Sequence, residues 1–262
     1  MTHTRSALLA AFATLALLAA ACGGTTPSSP ALTDPKAIVT AALTSTEAAK
    51  SVHIALTANG EATVALPIAG GTGTPVDLTG TTASADIDFV KPAAHATFAL
   101  VAGLTINGEA IAVDGKTYLK TGFTGPLYVE SAAGAGLFDA SIIGKLIKNV
   151  GEILLKPGIT LVKGDDVACG SKQCYTVSAD VTAADLATTA GSALDTLPVD
   201  LAGATLKLTI RVEKDLPNHL AGMTAVLSPA NGKALTVDVT ASKWDEPVTI
   251  TAPPADQVKP AS

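Results

Sequence analysis

Hydrophobic and polar residues recur along this chain with two different periods, and the switches between them mark its elements. Asp34 followed by Pro35 is a helix opening: the carboxylate can accept from a free first-turn N–H, and proline suits the first helical position. Good helix formers follow from Ile38, so a helix is predicted over Pro35–Lys50. From Ser51 the period shortens to two. Val52, Ile54 and Leu56 alternate with His53, Ala55 and Thr57, the pattern of a strand with one buried face. The longest such run is Ala94–Ile106, with Ala94, Ala96, Phe98, Leu100, Ala102, Leu104 and Ile106 facing one way. Asn107-Gly108 and Asp114-Gly115 are hairpin dipeptides. They are predicted to set off strands at Ala110–Asp114 and Lys116–Lys120, and Leu127–Ser131 ends the meander.

A helical stripe then interrupts the strands. Ile142, Ile143, Leu146, Ile147, Val150, Ile153 and Leu154 share one face, and Pro157-Gly158 stops the pattern. Strands return at Ile159–Val167 and Tyr175–Val181, and Thr182 with Asp185 imitates a capping box opening a short helix to Leu194. Beyond it, Ala204, Leu206, Leu208, Ile210 and Val212 alternate with polar partners. Leu220–Ser228, a turn at Asn231-Gly232 and Lys233–Trp244 give a hairpin, and Val248–Thr251 is expected to close the sheet before a loose tail. Strand runs with interspersed helices, rather than strict β-α-β alternation, indicate an α+β fold with a large antiparallel sheet. No charge run or Gly/Pro linker divides residues 35–254, so a single domain is expected.

The opening residues follow neither pattern. Arg5, an apolar Ala/Leu/Phe run and the small residues Ala19, Ala20 and Ala21 ahead of Cys22 have the form of a secretory signal peptide over residues 1–21, too short for the ~20 apolar residues of a membrane span. A cysteine directly after such a stretch resembles a bacterial lipobox, in which the thiol is diacylglycerated and becomes the mature N-terminus. On that reading Cys22 anchors the protein at the extracytoplasmic face of the cell membrane. The polar, turn-forming residues 22–34 then serve as a tether.

Composition narrows the function. The chain of 262 residues is 48% hydrophobic, which excludes intrinsic disorder. Its 17 basic against 23 acidic residues exclude non-specific phosphate binding, and no nucleic-acid partner is expected. With Cys22 assigned to lipid, the 3 cysteines leave Cys169 and Cys174 as a pair flanking a turn-like loop. A disulfide across a hairpin end suits them, because a two-ligand metal site would lack further His or Cys partners nearby.

Chemistry has no visible carrier. His53, His95 and His219 fall on polar strand positions or beside a turn, where solvated surface histidines are expected. Asp86 with Asp88 and Asp165 with Asp166 lack the further oxygen donors of a cation site. No metal, cofactor or catalytic residue is assigned, and Trp244 is read as packing. What remains is apolar surface. A sheet face of Ala, Val, Leu and Ile under apolar helix stripes must either close-pack or enclose space, and only 3% aromatic residues are available to fill it.

Four stretches carry a resemblance: the lipobox leader, AAKSVHIALTANG (Ala48–Gly60), VDGKTYLKT (Val113–Thr121) and LTVDVTASKWDEPVTITAPP (Leu235–Pro254). In this order they are similar to the LppX/LprA/LprF/LprG lipoproteins of mycobacteria and related bacteria, a family that resembles the LolA/LolB carriers in fold. The resemblance implies a strongly curved antiparallel sheet, an incomplete barrel, with helices on its concave side. It implies a carrier of acylated lipids or glycolipids across the cell envelope, not an enzyme. Phe98, Leu100, Leu104, Ile106, Ile142, Ile143, Leu146, Ile147, Leu206, Leu208 and Ile210 would line the cavity of a monomeric protein. An envelope transporter as partner stays open. So does a different class, an adhesion or assembly module with a fully packed core.

Overall fold

A computed structural model describes residues 31–64, 74–132, 150–182, 203–230 and 232–259. The predicted helix is present as α1 (Pro35–Ala48), with the Asp34 carboxylate accepting from the Lys36 N–H at 3.2 Å. Thirteen strands follow. The first group is β1 (Ser51–Val64), β2 (Thr74–Asp77), β3 (Thr81–Asp88), β4 (Ala93–Val101), β5 (Thr105–Val113), β6 (Lys116–Thr121) and β7 (Val129–Ala132). Residues 150–155 are helical. The second group is β8 (Val162–Lys163), β9 (Val167–Cys169), β10 (Lys172–Thr182), β11 (Thr205–Glu213), β12 (Leu220–Ser228) and β13 (Leu235–Ser242). Residues 142–149 and 183–194, predicted helical, lie outside the described residues, as do Cys22 and the leader.

All ladders are antiparallel, and the order is β7-β6-β5-β4-β3-β1-β13-β12-β11-β10-β8, with β2 on β1 and β9 on β10. The end strands β7 and β8 do not pair, so the sheet curves without closing. Two meanders meet at one seam, where β1 pairs β13 from His53 opposite Ser242 to Gly60 opposite Leu235. Gly60 has φ +116°, and a Cβ there would run into the Ala234 carbonyl, so only glycine lets the two meanders approach at that end of the seam.

Register lines up mostly small inward residues on one meander and mostly large ones on the other, with Ile87 and Phe98 the exceptions in the first and Ala179 and Ala225 in the second. On β3 to β5 the inward face carries Ala83, Ala85, Ala94, Ala96, Ala110 and Ala112, aligned across the ladders. On β10 to β12 it carries Val177, Val181, Leu208, Ile210, Val212 and Met223. The helices cover this second half. Ile38, Val39 and Ala42 of α1 and Ile153 and Leu154 of the 150–155 helix form one buried cluster with Tyr175, Val177, Leu208, Ile210 and Val212. Cys169 and Cys174 form a disulfide across the end of the β9–β10 hairpin, Cα to Cα 5.9 Å, with Cys174 fully buried.

Three expectations fail for identifiable reasons. Ala94–Ile106 is not one strand: it turns at residues 102–104, with Gly103 at φ +76°, and Asn107-Gly108 lies inside β5 opposite Ala99 and Phe98. Gly108 is present because the Phe98 ring lies where its Cβ would be; the glycine marks a close approach, not a turn. Asp114-Gly115 does turn, at φ 53° and 71°. Val248–Thr251 joins no ladder. The tail is not loose through residue 259: Tyr128 N–H donates to the Gln257 carbonyl, Lys259 N–H donates to the Tyr128 carbonyl, and Val258 packs on Ile111, Tyr118 and Tyr128.

Candidate functional site

Between α1, the 150–155 helix and the concave sheet face lies a cavity of about 240 Å³. A single water needs only ~10–15 Å³ by this kind of measure, so this is far more than a packing defect. Its walls follow from the elements already named. Helix α1 presents Val39, Ala42, Leu43 and Thr46 one turn apart, and the second helix presents Val150, Gly151 and Leu154. At Gly151 the Leu43 side chain occupies the space a Cβ would need, so the two helices touch there. The sheet contributes Ile54 and Leu56 from β1, the alanines Ala83, Ala85 and Ala96, and Ile210, Met223, Val239 and Ala241 from the other meander.

The described wall holds no charged side chain and no aromatic ring. Its two hydroxyls are already engaged. Thr46 donates back to the Ala42 carbonyl at 2.7 Å, and Ser84 pairs with Thr97 at 3.0 Å. The described wall therefore offers almost only hydrocarbon, with its two hydroxyls engaged, a surface that suits apolar groups.

Of the predicted lining residues, the structure places Ile210 in this wall. Leu208 is buried beside it in the β10–β12 core, with Leu206 packed against that core. Phe98 lies over Gly108, one inward position beyond Ala96. Leu100 is at the margin of exposure and faces half-buried Ile106, whereas Leu104 is 54% exposed in the turn and off the cavity face. Ile142, Ile143, Leu146 and Ile147 lie outside the described residues. Sequence reasoning missed Met223, Val239 and the inward alanines. The signal was present in the alternation of Leu220–Ser228, Leu235–Ser242 and Thr81–Asp88; what was lacking was the register that sets them beside Ile210.

Around the histidines of β1 and β4 the outer face is polar and paired. His53 Nδ1 lies 2.7 Å from Asp86, and His95 Nε2 lies 2.9 Å from Glu109. The Lys120 ammonium, 2.8 Å from Glu109 and aided by His95, holds that carboxyl at about 2 against the burial that would raise it. His219 differs from its expected surface position. It is 7% exposed, stacked on Trp244 at 4.9 Å between centroids, with Nε2 3.7 Å from Asp245 and a buried Nδ1 that has no partner. The preceding turn folds inward: Asn218 donates to the Glu213 carbonyl and accepts from Ser45, and Trp244 Nε1 donates to the Leu220 carbonyl. Burial lowers the His219 pKa. Among the described residues no cluster of His, Cys, Asp or Glu is placed to hold a metal ion, and no helix is long and apolar enough to cross a membrane.

Fold and site together define an unclosed, curved antiparallel sheet with an apolar cavity between its concave face and the helices. The sequence profile of the LppX_LprAFG lipoproteins matches residues 34–250, and the chain belongs to that family. The crystal structure of LprF from Mycobacterium bovis superposes with a TM-score of 0.58 at 20% identity, covering 84% of this chain and 96% of that one. Mycobacterium tuberculosis lipoprotein LppX superposes at 0.51 with 17% identity, covering 83% and 98%. At these identities the likeness establishes the fold. A LolA superfamily protein from Nitrosomonas europaea aligns at a TM-score of only 0.27 and 7% identity, covering 87% and 99%, which carries no argument. No curated protein sequence matches significantly.

Proposed function

We propose that this lipoprotein is a non-enzymatic carrier that holds the acyl chains of a lipid or glycolipid in the cavity and moves them across the cell envelope while Cys22 anchors it to the membrane. The observation that carries this is the cavity wall, whose described residues bring no charge and only two hydroxyls, both engaged. Each methylene transferred from water is worth about 0.8 kcal/mol, so ten of them supply about 8 kcal/mol before ordering losses, the scale of micromolar binding. Retention thus needs no polar contact inside, and headgroup selection falls to the rim.

The test is organic extraction and mass spectrometry of protein expressed with its leader. Acyl lipid should accompany the wild type and fall several-fold in Met223→Trp, which places a ring in the cavity. A wild type that carries no acyl lipid would sink the carrier reading. Separately, Cys22→Ala should leave the membrane fraction; retention there would mean that the leader itself spans the membrane.

A further inference from the structure

The strand-like segment Val248–Ala252 crosses the outer face of the sheet without joining it. Val248 and Ile250 are half-buried toward the sheet, Thr249 and Thr251 are exposed, and Ile250 packs on the Ile111, Tyr118 and Tyr128 cluster. Both ends are fixed. Ser51 Oγ donates to the Glu246 carbonyl at 2.5 Å, and residues 257 and 259 bond to the Tyr128 backbone. Between these ties, among the described residues, no main-chain N–H or C=O from residue 248 to 252 has a protein partner. Open space flanks the strap: about 630 Å³ beside Asp88, Lys91 and Asp114, and about 290 Å³ beside His53, Asp86 and His95.

A β-prone segment pinned at both ends, with its main-chain groups unpaired along a groove, is the arrangement that accepts another strand. We propose that Val248–Ala252 is a docking strand on which an extended segment of a partner protein pairs main chain to main chain, lying in the larger groove. The groove wall sets the partner's charge. Two carboxylates, Asp88 and Asp114, line it with one amine, Lys91, and although Asp88 also accepts from the Val90 and Lys91 N–H groups the wall stays net negative, so a segment with basic residues flanking its paired core is favoured. A second copy of this chain is a poor occupant. Its own strap is held to its own sheet through Val248 and Ile250, so it would have to carry that sheet with it into the groove to reach the ~4.8 Å separation of paired strands. This surface is on the opposite side of the sheet from the lipid cavity, so it stands or falls independently of the carrier reading.

The probe is a synthetic Lys-Thr-Val-Thr-Val-Thr-Lys peptide and its counterpart N-methylated at alternate residues, added to the full chain and followed by amide hydrogen exchange. The unmethylated peptide should slow exchange of alternate amides within Val248–Ala252 by at least about tenfold, and the methylated one should have no effect. No slowing at millimolar peptide, or equal slowing by both peptides, overturns the proposal. So does a strap already protected in the protein alone: protection that rises with protein concentration would mean a second copy sits there, and protection that does not would mean a segment of this chain does.

Discussion

The two meanders of the sheet share one architecture and differ in side-chain size. On β10 to β12 the inward residues are Val, Leu, Ile, Met and Tyr apart from Ala179 and Ala225, and with the helices they form a core in which Val177, Val181 and Val212 are at most 1% exposed. On β3 to β5 the middle of the inward face is alanine, between buried Ile87 at one end and Phe98 lying over Gly108 at the other. Both halves satisfy the alternation that makes a strand amphipathic, but the alanines put less carbon into the space between sheet and helices, and residues of both halves wall the cavity left there. Alternation builds the wall, and residue volume decides whether the wall encloses anything.

Breaking the filled half should have the largest effect. Ile38→Ala, fully buried between α1 and β10 to β12, should cost about 2–5 kcal/mol in urea unfolding. A pair of identical insertions tests the comparison directly. Ala179→Leu, in the packed cluster, should cost about 1–3 kcal/mol by overpacking. Ala96→Leu, in the cavity wall, should cost under about 1 kcal/mol while lowering lipid uptake. Equal costs would mean that the alanine half is as tightly packed as its neighbour.

Acid should then find the two halves at different points. His219, which leads into β12, has a lowered pKa, so below the unfolded value near 6.5 the unfolded chain takes up a proton that the native state resists. Stability should fall as pH drops through 6.5, and His219→Phe should flatten the urea midpoint between pH ~7.5 and ~5.5. Glu109, on β5, is held at about 2, so its contribution is complete above its ordinary 4.5 and is lost as pH falls from there toward 2. Glu109→Gln should remove this second slope. A single acid transition unaltered by either substitution would contradict both assignments.

Much of this was legible in the residues. Asp34-Pro35 opened a helix, Val52, Ile54 and Leu56 turned inward, Asp114-Gly115 made its turn, and the Cys169–Cys174 pair is bridged. The failures were of partnership. Asn107-Gly108 looks like a turn until Phe98 lies across it, Leu104 continues an alternation that the backbone abandons two residues earlier, and Val248–Thr251 has strand composition but no ladder. His219 beside Pro217 and Asn218 looked exposed, yet Trp244, distant in sequence, covers it. Of the cavity wall only Ile210 was named, because which strands stand side by side is set by pairing that no single segment encodes.

The seam between β1 and β13 bears on the order of assembly. Synthesis delivers β1 well before β13, and among the described residues no other ladder joins the two meanders. Each meander can zip from neighbouring hairpins as it emerges, but the concave floor stays split until Leu235–Ser242 arrives and closes almost the whole chain into one loop. That late, long-range step is entropically the most demanding contact in the molecule and should limit its folding rate. A chain cut short before residue 235 would retain most of its strands and still have no enclosed space.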